Sequence, residues 1–402
     1  MSWGTVKFGD LYLIPSRNGL MRPSRVRGEG FKMVNMGELF ANQMIGDIPM
    51  ERVPMNEREL ENSSLAQGDL LFARQSLVLE GAGQCSYVAA VAEPTTFESH
   101  LIRVRLDQSK ADPLFYHYFF RSPYSGMSTI VQQCAQAGIR ASELSELPVG
   151  YPPIQEQRKI VGQLLPYDDL IENNRRRMAL LEDSARQLYR EWFVRLRFPG
   201  HEHTPIVDGV LQGWVKLPAT EALEINPKIK LSDAEEHWFV EMANLPTDSM
   251  VIEGAYLREG RSGPKFQNGD TLFARITPCL ENGKTGFVDF MDEGEVGRGS
   301  TEFIVLRSKR VTPEFVYCLS RTYEFRGNAI KSMIGSSGRQ RVQESCFEKF
   351  MVNVPPTSLL RLFSDFAEPA FEEIKNLASQ NQKLRQARDL LLPRLMSGEL
   401  AV

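Results

Sequence analysis

The 402-residue chain repeats itself at a period of about 200 residues. QGDLLFAR (67–74) recurs as NGDTLFAR (268–275), with Arg74 and Arg275 offset by 201. DPLFYHYFFRS recurs as TPEFVYCLSRT, with Pro113 and Pro313 offset by 200, and LPVGYPP ending at Pro153 matches MVNVPP ending at Pro356, offset by 203. A weaker echo joins VKF (6–8) to VKL (215–217). Solenoid units run to roughly 20–50 residues, so a period this long means two copies of a whole domain plus whatever follows each. That narrows the two to four domains the length allows at roughly 100–200 residues each.

Each copy divides in two. Residues 1–150 and 204–354 are rich in Gly, Pro and short apolar runs such as DLLFAR, YVAAVA, DTLFARI and EFIVLR. They read as strands joined by loops, with helices predicted over 113–121 and 313–323. Residues 151–203 and 355–402 read as helical, each entered through a Pro-Pro pair (Pro152-Pro153, Pro355-Pro356), because a residue before proline disfavours the α region. In the first helical segment Ile171, Met178, Ala185 and Trp192 fall at heptad steps with Asn174, Leu181 and Leu188 between them, the spacing of a coiled-coil seam. The matching positions of the second are Ile374, Leu377, Asn381, Leu384, Arg388, Leu391 and Leu395. Their polar members do not fall at the position of Asn174, and Arg388 is expected to weaken the seam. Two amphipathic helices packed on their own domains are the other reading. Pro166 is expected to kink or restart the first helix, with Tyr167, Asp168 and Asp169 as a fresh N-terminus. Pro393 should break the last helix, and Gly398 suits its end. The fold class expected is mixed α/β: two similar globular domains separated by two long helices in an antiparallel coiled coil, related by a pseudo-twofold. About 28 helical residues span roughly 40 Å.

Charge and cysteine content narrow the function. Lys and Arg number 47 against 51 Asp and Glu, a net charge of −4. The four segments carry −2, +1, −3 and 0, so none is a basic domain that coats nucleic acid, though local patches can still read DNA. Five scattered cysteines without a C-x-x-C pair suit a reduced cytosol and leave no thiolate zinc site. The opening MSWGTVKFGD lacks a signal-peptide pattern, and a soluble cytoplasmic protein is expected. Catalytic signatures are missing. Gly283-Lys284-Thr285 has Pro278 where a P-loop needs glycine. Gly28-Glu29-Gly30 and Gly81-Ala82-Gly83 lack a third glycine and a following helix. Tyr151-Pro152-Pro153-Ile154 and Val354-Pro355-Pro356-Thr357 lack the flanking residues with which an amino-methyltransferase grips its base. His201-Glu202-His203 reads as a solvated linker rather than a metal site. No catalytic residue, metal or cofactor site is expected in this chain.

Three stretches carry a family resemblance. YPPIQEQRKIVGQLLPYDDLIENNRRRMALLEDSARQLYREWF (151–193) resembles the central conserved region of type I restriction–modification specificity subunits. LRQARDLLLPRLMSGEL (384–400) resembles the C-terminal conserved region, and NGDTLFARITPCLENGKTGFV (268–288) a recurring element of the target-recognition domains. PPTSLLRLFSDF (355–366) departs from the pattern, with nothing to match Glu156-Gln157-Arg158. The resemblance implies a first target-recognition domain (1–150), a central helical spacer (151–203), a second target-recognition domain (204–354) and a C-terminal helical spacer (355–402). Each domain would read one half of a bipartite site in double-stranded DNA, and the helices would set the gap. The chain would be non-catalytic. It would scaffold two modification subunits that methylate adenine N6, together with restriction subunits. S-adenosylmethionine, ATP and Mg2+ would sit on those partners.

On that reading, base-edge and phosphate contacts call for Arg, Lys, Gln and small hydroxyls. The candidates in the first domain are Arg22, Arg25, Arg27 and Lys32 (RPSRVRGEGFK), Arg74, and the run Gln132, Gln133, Gln136 and Arg140. In the second they are Arg258, Arg261 and Lys265 (LREGRSGPK), Arg275, Lys284, Lys331, and Ser336, Ser337, Arg339, Gln340 and Arg341 (GSSGRQR). Arg74 and Arg275 serve equally well as shared scaffold. Arg175, Arg176, Arg177, Tyr189, Trp192 and Phe193 mark a partner surface or a cap on the seam, and the tail after Pro393 suits docking. A single-chain DNA-modifying enzyme and a coiled-coil adaptor that never reads DNA are the alternatives.

Overall fold

The computed structural model describes residues 3–133, 136–207, 210–336 and 338–400. It is mixed α/β and forms two compact units. One comprises the chain up to Asp169 and again from Leu384 onward; the other is Leu170–Lys383.

In the first unit a five-stranded sheet runs in the order Tyr12–Asn18, Leu101–Leu106, Leu70–Ala73, Cys85–Val88, Met44–Ile45. A second sheet has Phe31–Val34 between Glu51–Val53, antiparallel, and Thr95–Phe97, parallel. The second unit repeats the plan. Leu223–Ile225, Phe303–Ser308, Thr271–Ala274 and Thr285–Phe287 form one sheet. In the other, Glu236–Val240 lies between antiparallel Tyr256–Glu259 and parallel Gly297–Gly299. The helices expected after the strands form as Pro113–Phe120 and Pro313–Ser320. Each has proline in its first turn, where the missing N–H costs nothing, and a capping side chain, Asp112 or Thr312.

The recurrence of Gly-Asp before each central strand has a physical cause. Gly68 and Gly269 adopt φ of +91° and +89°, a region that favours glycine. Asp69 and Asp270 each accept from a backbone N–H three residues earlier, Ala66 and Gln267, both at 2.8 Å. The same carboxylates take a two-nitrogen grip from Arg105 (2.6 and 2.7 Å) and Arg307 (2.7 and 2.6 Å) on the neighbouring strand. A buried carboxylate held this way closes the turn and fixes the strand register at one stroke. The four-residue strands that follow are wholly buried.

The long helices are Ile154–Tyr189 and Thr357–Met396, and within each unit their segments run antiparallel. In the second unit Asn174 Nδ2 donates to Asn381 Oδ1 (3.0 Å), Asn381 Nδ2 donates to the Ile171 carbonyl (3.3 Å), and Arg177 pairs with Glu373 (2.8 Å). In the first unit Ile160, Val161 and Leu164 share a core with Leu392, Leu395 and Met396. The polar seam positions that fail to match under the repeat offset therefore meet across the helix pair.

Four expectations about the helices are corrected. The first helix continues through Pro166 without a break. Buried Leu164 and Ile171 flank it, and packing outweighs the one backbone bond lost. Asp168 is an ion-pair partner rather than a helix start. Arg388 does not weaken the seam: it is buried, and its guanidinium reaches Asp168, Gln43 and Asp389 within the first unit, while Tyr118 Oη also donates to Asp168 (2.6 Å). Pro393 sits inside the last turns, and the helix ends at Met396, with Gly398 at φ +69°. The heptad also drifts. Ile171, Asn174, Ala185, Ile374, Leu377 and Asn381 are buried, but Met178, Leu181, Leu188, Trp192, Leu384 and Leu391 only partly. Glu182, Tyr189, Phe193 and Leu392 take the buried places instead. A helix of 3.6 residues per turn slips against a strict seven-residue repeat unless it supercoils, and its end here faces a domain core. Tyr189 and Phe193 pack on Phe315 (4.8 and 4.9 Å between centroids) and Phe363 (6.2 and 5.2 Å). Trp192 and Phe193 therefore belong to that core.

The departure at residues 355–366 is also resolved. Gln157, fully buried, accepts from the Asp112 N–H (2.8 Å) and donates to the Pro152 carbonyl (2.8 Å), while Glu156 accepts from Trp3 Nε1 (3.0 Å). The second copy places buried Leu359 and Leu360 there, replacing a polar lock by apolar packing.

Candidate nucleic-acid interface

An arginine follows the repeated strand in both units, Arg74 after Ala73 and Arg275 after Ala274, and the chain returns to that arginine's carbonyl near the close of each domain. Ile139 N–H donates to the Arg74 carbonyl and Val342 N–H to the Arg275 carbonyl, both at 2.9 Å. In the first unit this gathers the predicted glutamines. Gln132–Gln133 pairs with Ala137–Gly138, which pairs with Gln75–Ser76. Gln132, Gln133 and Gln136 are exposed, and Gln132 donates to Glu143. Arg140 stands at the start of Ala141–Glu146 with its side chain 72% exposed. Arg74 itself is partly buried, with Nη1 3.5 Å from the Ser99 carbonyl.

In the second unit the same return brings Arg275 beside residues 334–342. Thr277 N–H donates to the Gln340 carbonyl (3.1 Å) and Gln340 N–H to the Thr277 hydroxyl (3.0 Å), and Arg341 bridges to Ile276 and Ile334. Arg275 is tethered to the Val342 carbonyl and Glu344, both at 3.3 Å, as a scaffold residue would be. Arg341 is held by Glu302 through two nitrogens (Nε to Oε2 2.8 Å, Nη2 to Oε1 2.6 Å). Ser336, Arg339 and Lys331 are exposed; Ser337 lies outside the described residues. Lys284 donates to the Met242 carbonyl (2.7 Å) and is partly buried.

The remaining candidates lie on or beside the second sheet of each unit. In the first, Arg22 pairs with Glu59 (2.7 Å), Arg27 with Glu51 (2.5 Å), and Lys32 with Asp47 (2.5 Å) and Glu93 (3.5 Å). Arg25 stays exposed. The densest basic stretch of the first domain is thus largely matched by carboxylates from elsewhere in that domain. In the second, Arg261 donates to the Ser232 carbonyl (2.9 Å), Lys265 is partly buried, and exposed Arg258 stacks 4.7 Å from the Phe239 ring centroid.

Sequence reading missed Arg298. It is buried, its guanidinium also lies 4.7 Å from the Phe239 centroid, and its Nη2 donates to the Arg258 (2.9 Å) and Glu259 carbonyls. Burial, then the neighbouring Arg258 charge, hold its pKa below the usual arginine range. The sequence signal was faint: one arginine between glycines, Gly297-Arg298-Gly299.

Among the described residues no group of three or more His, Cys, Asp or Glu could hold a metal ion. No helix among them is long and apolar enough to cross a membrane.

Comparison with known proteins places these features. Residues 2–183 match the family described as type I restriction modification DNA specificity domain. The chain is 23% identical over 366 residues to the type I restriction enzyme MjaIX specificity subunit of Methanocaldococcus jannaschii, covering 87% of this chain and 83% of the relative. It is 30% identical over 163 residues to the type I restriction enzyme EcoKI specificity subunit of Escherichia coli K12, covering 39% and 35%. The crystal structure of a type I restriction–modification system S subunit from M. genitalium shares the fold, with a TM-score of 0.54 at 15% identity over 98% of this chain and 96% of that one.

Proposed function

This chain belongs to the family of type I restriction–modification DNA specificity subunits, and on that premise we propose that its two α/β domains each read one half of a bipartite DNA site. It is the subunit that recognises DNA sequence, and it is non-catalytic. The observation that carries the half-site reading is a scaffold that repeats while its surface does not. The buried Asp69–Arg105 and Asp270–Arg307 pairs are the same device. The segments that return to Arg74 and Arg275 carry glutamines in one domain and Ser, Arg and Gln in the other. Two domains of one architecture with different polar edges suit two different short sequences.

The helices suit a ruler. They are 36 and 40 residues long, roughly 54 and 60 Å at 1.5 Å per residue, against about 34–36 Å between sites one DNA turn apart. Modification subunits would methylate adenine N6 with S-adenosylmethionine, two of them matching the two copies. Restriction subunits would add cleavage driven by ATP and Mg2+. A chain of net charge −4 holds DNA weakly, so those partners would supply much of the phosphate grip in the cytoplasm. Inserting one helical turn into both helices tests the ruler: the unspecified gap between methylated half-sites should lengthen, and an unchanged gap refutes it.

A further inference from the structure

We propose that the second domain clamps a single DNA backbone phosphate in the pocket over Phe239, with Arg258 as the direct contact and the charge of Arg298 beneath it, and that the first domain has no counterpart. The proposal rests on the DNA-reading function above and adds where one strand is held.

The pocket measures about 440 Å³ and is lined by Phe239, Arg258, Ser262, Gly263, Arg298 and Ser300 among others. Arg298 is 2% exposed, its Nε has no hydrogen-bond partner, and neither it nor Arg258 has a carboxylate partner among the described residues. A buried cation without a counter-ion is costly to a fold. The fold does not require it. Strand registers equate Phe239, Arg298 and Arg258 with Met33, Thr96 and Val53 of the first domain. Those three are fully buried, and the Thr96 hydroxyl is satisfied by the Ser63 carbonyl (3.1 Å). The same sheet is thus built in one domain around a neutral trio and in the other around two guanidiniums and a ring. Gly260 leaves the space above Arg298 open, since a Cβ there would lie 3.3 Å from Nη2.

The ligand follows from the donors. Two guanidiniums, serine hydroxyls and a glycine backbone at φ +93° (Gly263) are phosphate partners. Phe239 holds both guanidinium planes by cation–π contact. Two carboxylates also line the pocket. Glu241 is engaged by Tyr256 Oη (2.5 Å) and Glu259 is exposed. That rim disfavours a free dianion and leaves a phosphodiester, with its single charge, as the better fit. A base edge read by Arg258 is the competing occupant.

The test uses the full chain assembled with its modification subunits, on a duplex carrying the mapped target. Arg258→Ala changes an exposed side chain, and Arg298→Met provides a second variant. For Arg258→Ala we expect weaker binding at every salt concentration and a salt slope smaller by about 0.9, with the methylated sequence unchanged. A neutral methylphosphonate walked along both strands should weaken wild-type binding at one position of the second half-site and be silent there in Arg258→Ala and Arg298→Met. An unchanged slope in Arg258→Ala overturns the clamp, as does finding that the position whose effect is lost in the variants lies in the first half-site. Relaxed base preference in the second half-site overturns it in favour of base reading. If the wild-type assembly binds its target no better than a scrambled duplex, the DNA-reading premise fails, and the clamp with it.

Discussion

Glu182 offers the sharpest energetic test of how the first long helix is fastened to the second unit. It is 3% exposed, yet its carboxylate accepts from Tyr317 Oη (2.6 Å) and the Met250 N–H (2.8 Å), with Arg186 and Arg321 at 3.8 and 3.9 Å. Glu182→Ala strands a buried hydroxyl, a buried backbone N–H and much of the compensation for Arg321. Orphaned groups of this kind cost about 1–3 kcal/mol each, and breaking a buried charge network about 3–5 kcal/mol in total. At about 2–4 °C per kcal/mol for a unit of this size, the second unit should melt roughly 10 °C lower by calorimetry. Glu182→Gln keeps the shape and one acceptor and should cost less. Burial is the largest influence on the Glu182 pKa and raises it, outweighing the Tyr317 hydrogen bond and both arginines. A carboxylate whose folded pKa lies above its unfolded value stabilises the fold fully below the unfolded value, and that contribution is lost as pH rises through the folded one. The gap between wild type and Glu182→Gln should therefore be widest in acid and narrow as pH rises. A loss below about 2 °C in Glu182→Ala, or a gap that widens with pH, would refute this reasoning.

Asn174→Leu or Asn381→Leu alone should destabilise the second unit by about 1–3 kcal/mol, because the remaining amide is left unsatisfied, whereas the double Leu variant should recover most of it; denaturant midpoints of the four proteins complete the cycle. Arg388→Ala should lower first-unit stability by about 3–5 kcal/mol by leaving the partly buried Asp168 carboxylate without its cation, and Asp168→Asn in the same chain should restore part of that. Burial pushes the Asp289 carboxyl up from 3.8 to about 7, against the pull of Lys375. Asp289→Asn should accordingly be stabilising by up to about 4 kcal/mol above pH 7, with the advantage shrinking as pH falls toward 4, as thermal melts across that range will show.

The two-copy architecture was legible because the residues that recur, Gly68-Asp69 and Gly269-Asp270 with the strands after them, close the same turn and fill the same core. The helix pair was legible from apolar spacing, but its details were not. A seven-residue template cannot see that Glu182 and Phe193 face a domain rather than a helix, that Asn174 finds Asn381 in an antiparallel partner, or that Asp168 makes Arg388 at home in a seam. The candidate interface was read least well. Arg22, Arg27, Lys32 and Arg341 look available in sequence, yet each is matched by a carboxylate at least 15 residues away, Lys32 with Asp47 being the nearest pair and Lys32 with Glu93 the farthest. Arg298 looked unremarkable because only strand pairing brings it to Phe239 and Arg258.

The central claim is that one chain reads two separate half-sites with two separable domains. Mapping methylated adenines across the genome of cells carrying this chain with its modification subunits tests it directly. The measurement is repeated after residues 204–354 are exchanged for the equivalent domain of another specificity subunit. The account predicts two short defined halves at a fixed gap, with only one half changed by the exchange. A contiguous motif, or an exchange that alters both halves, would contradict it.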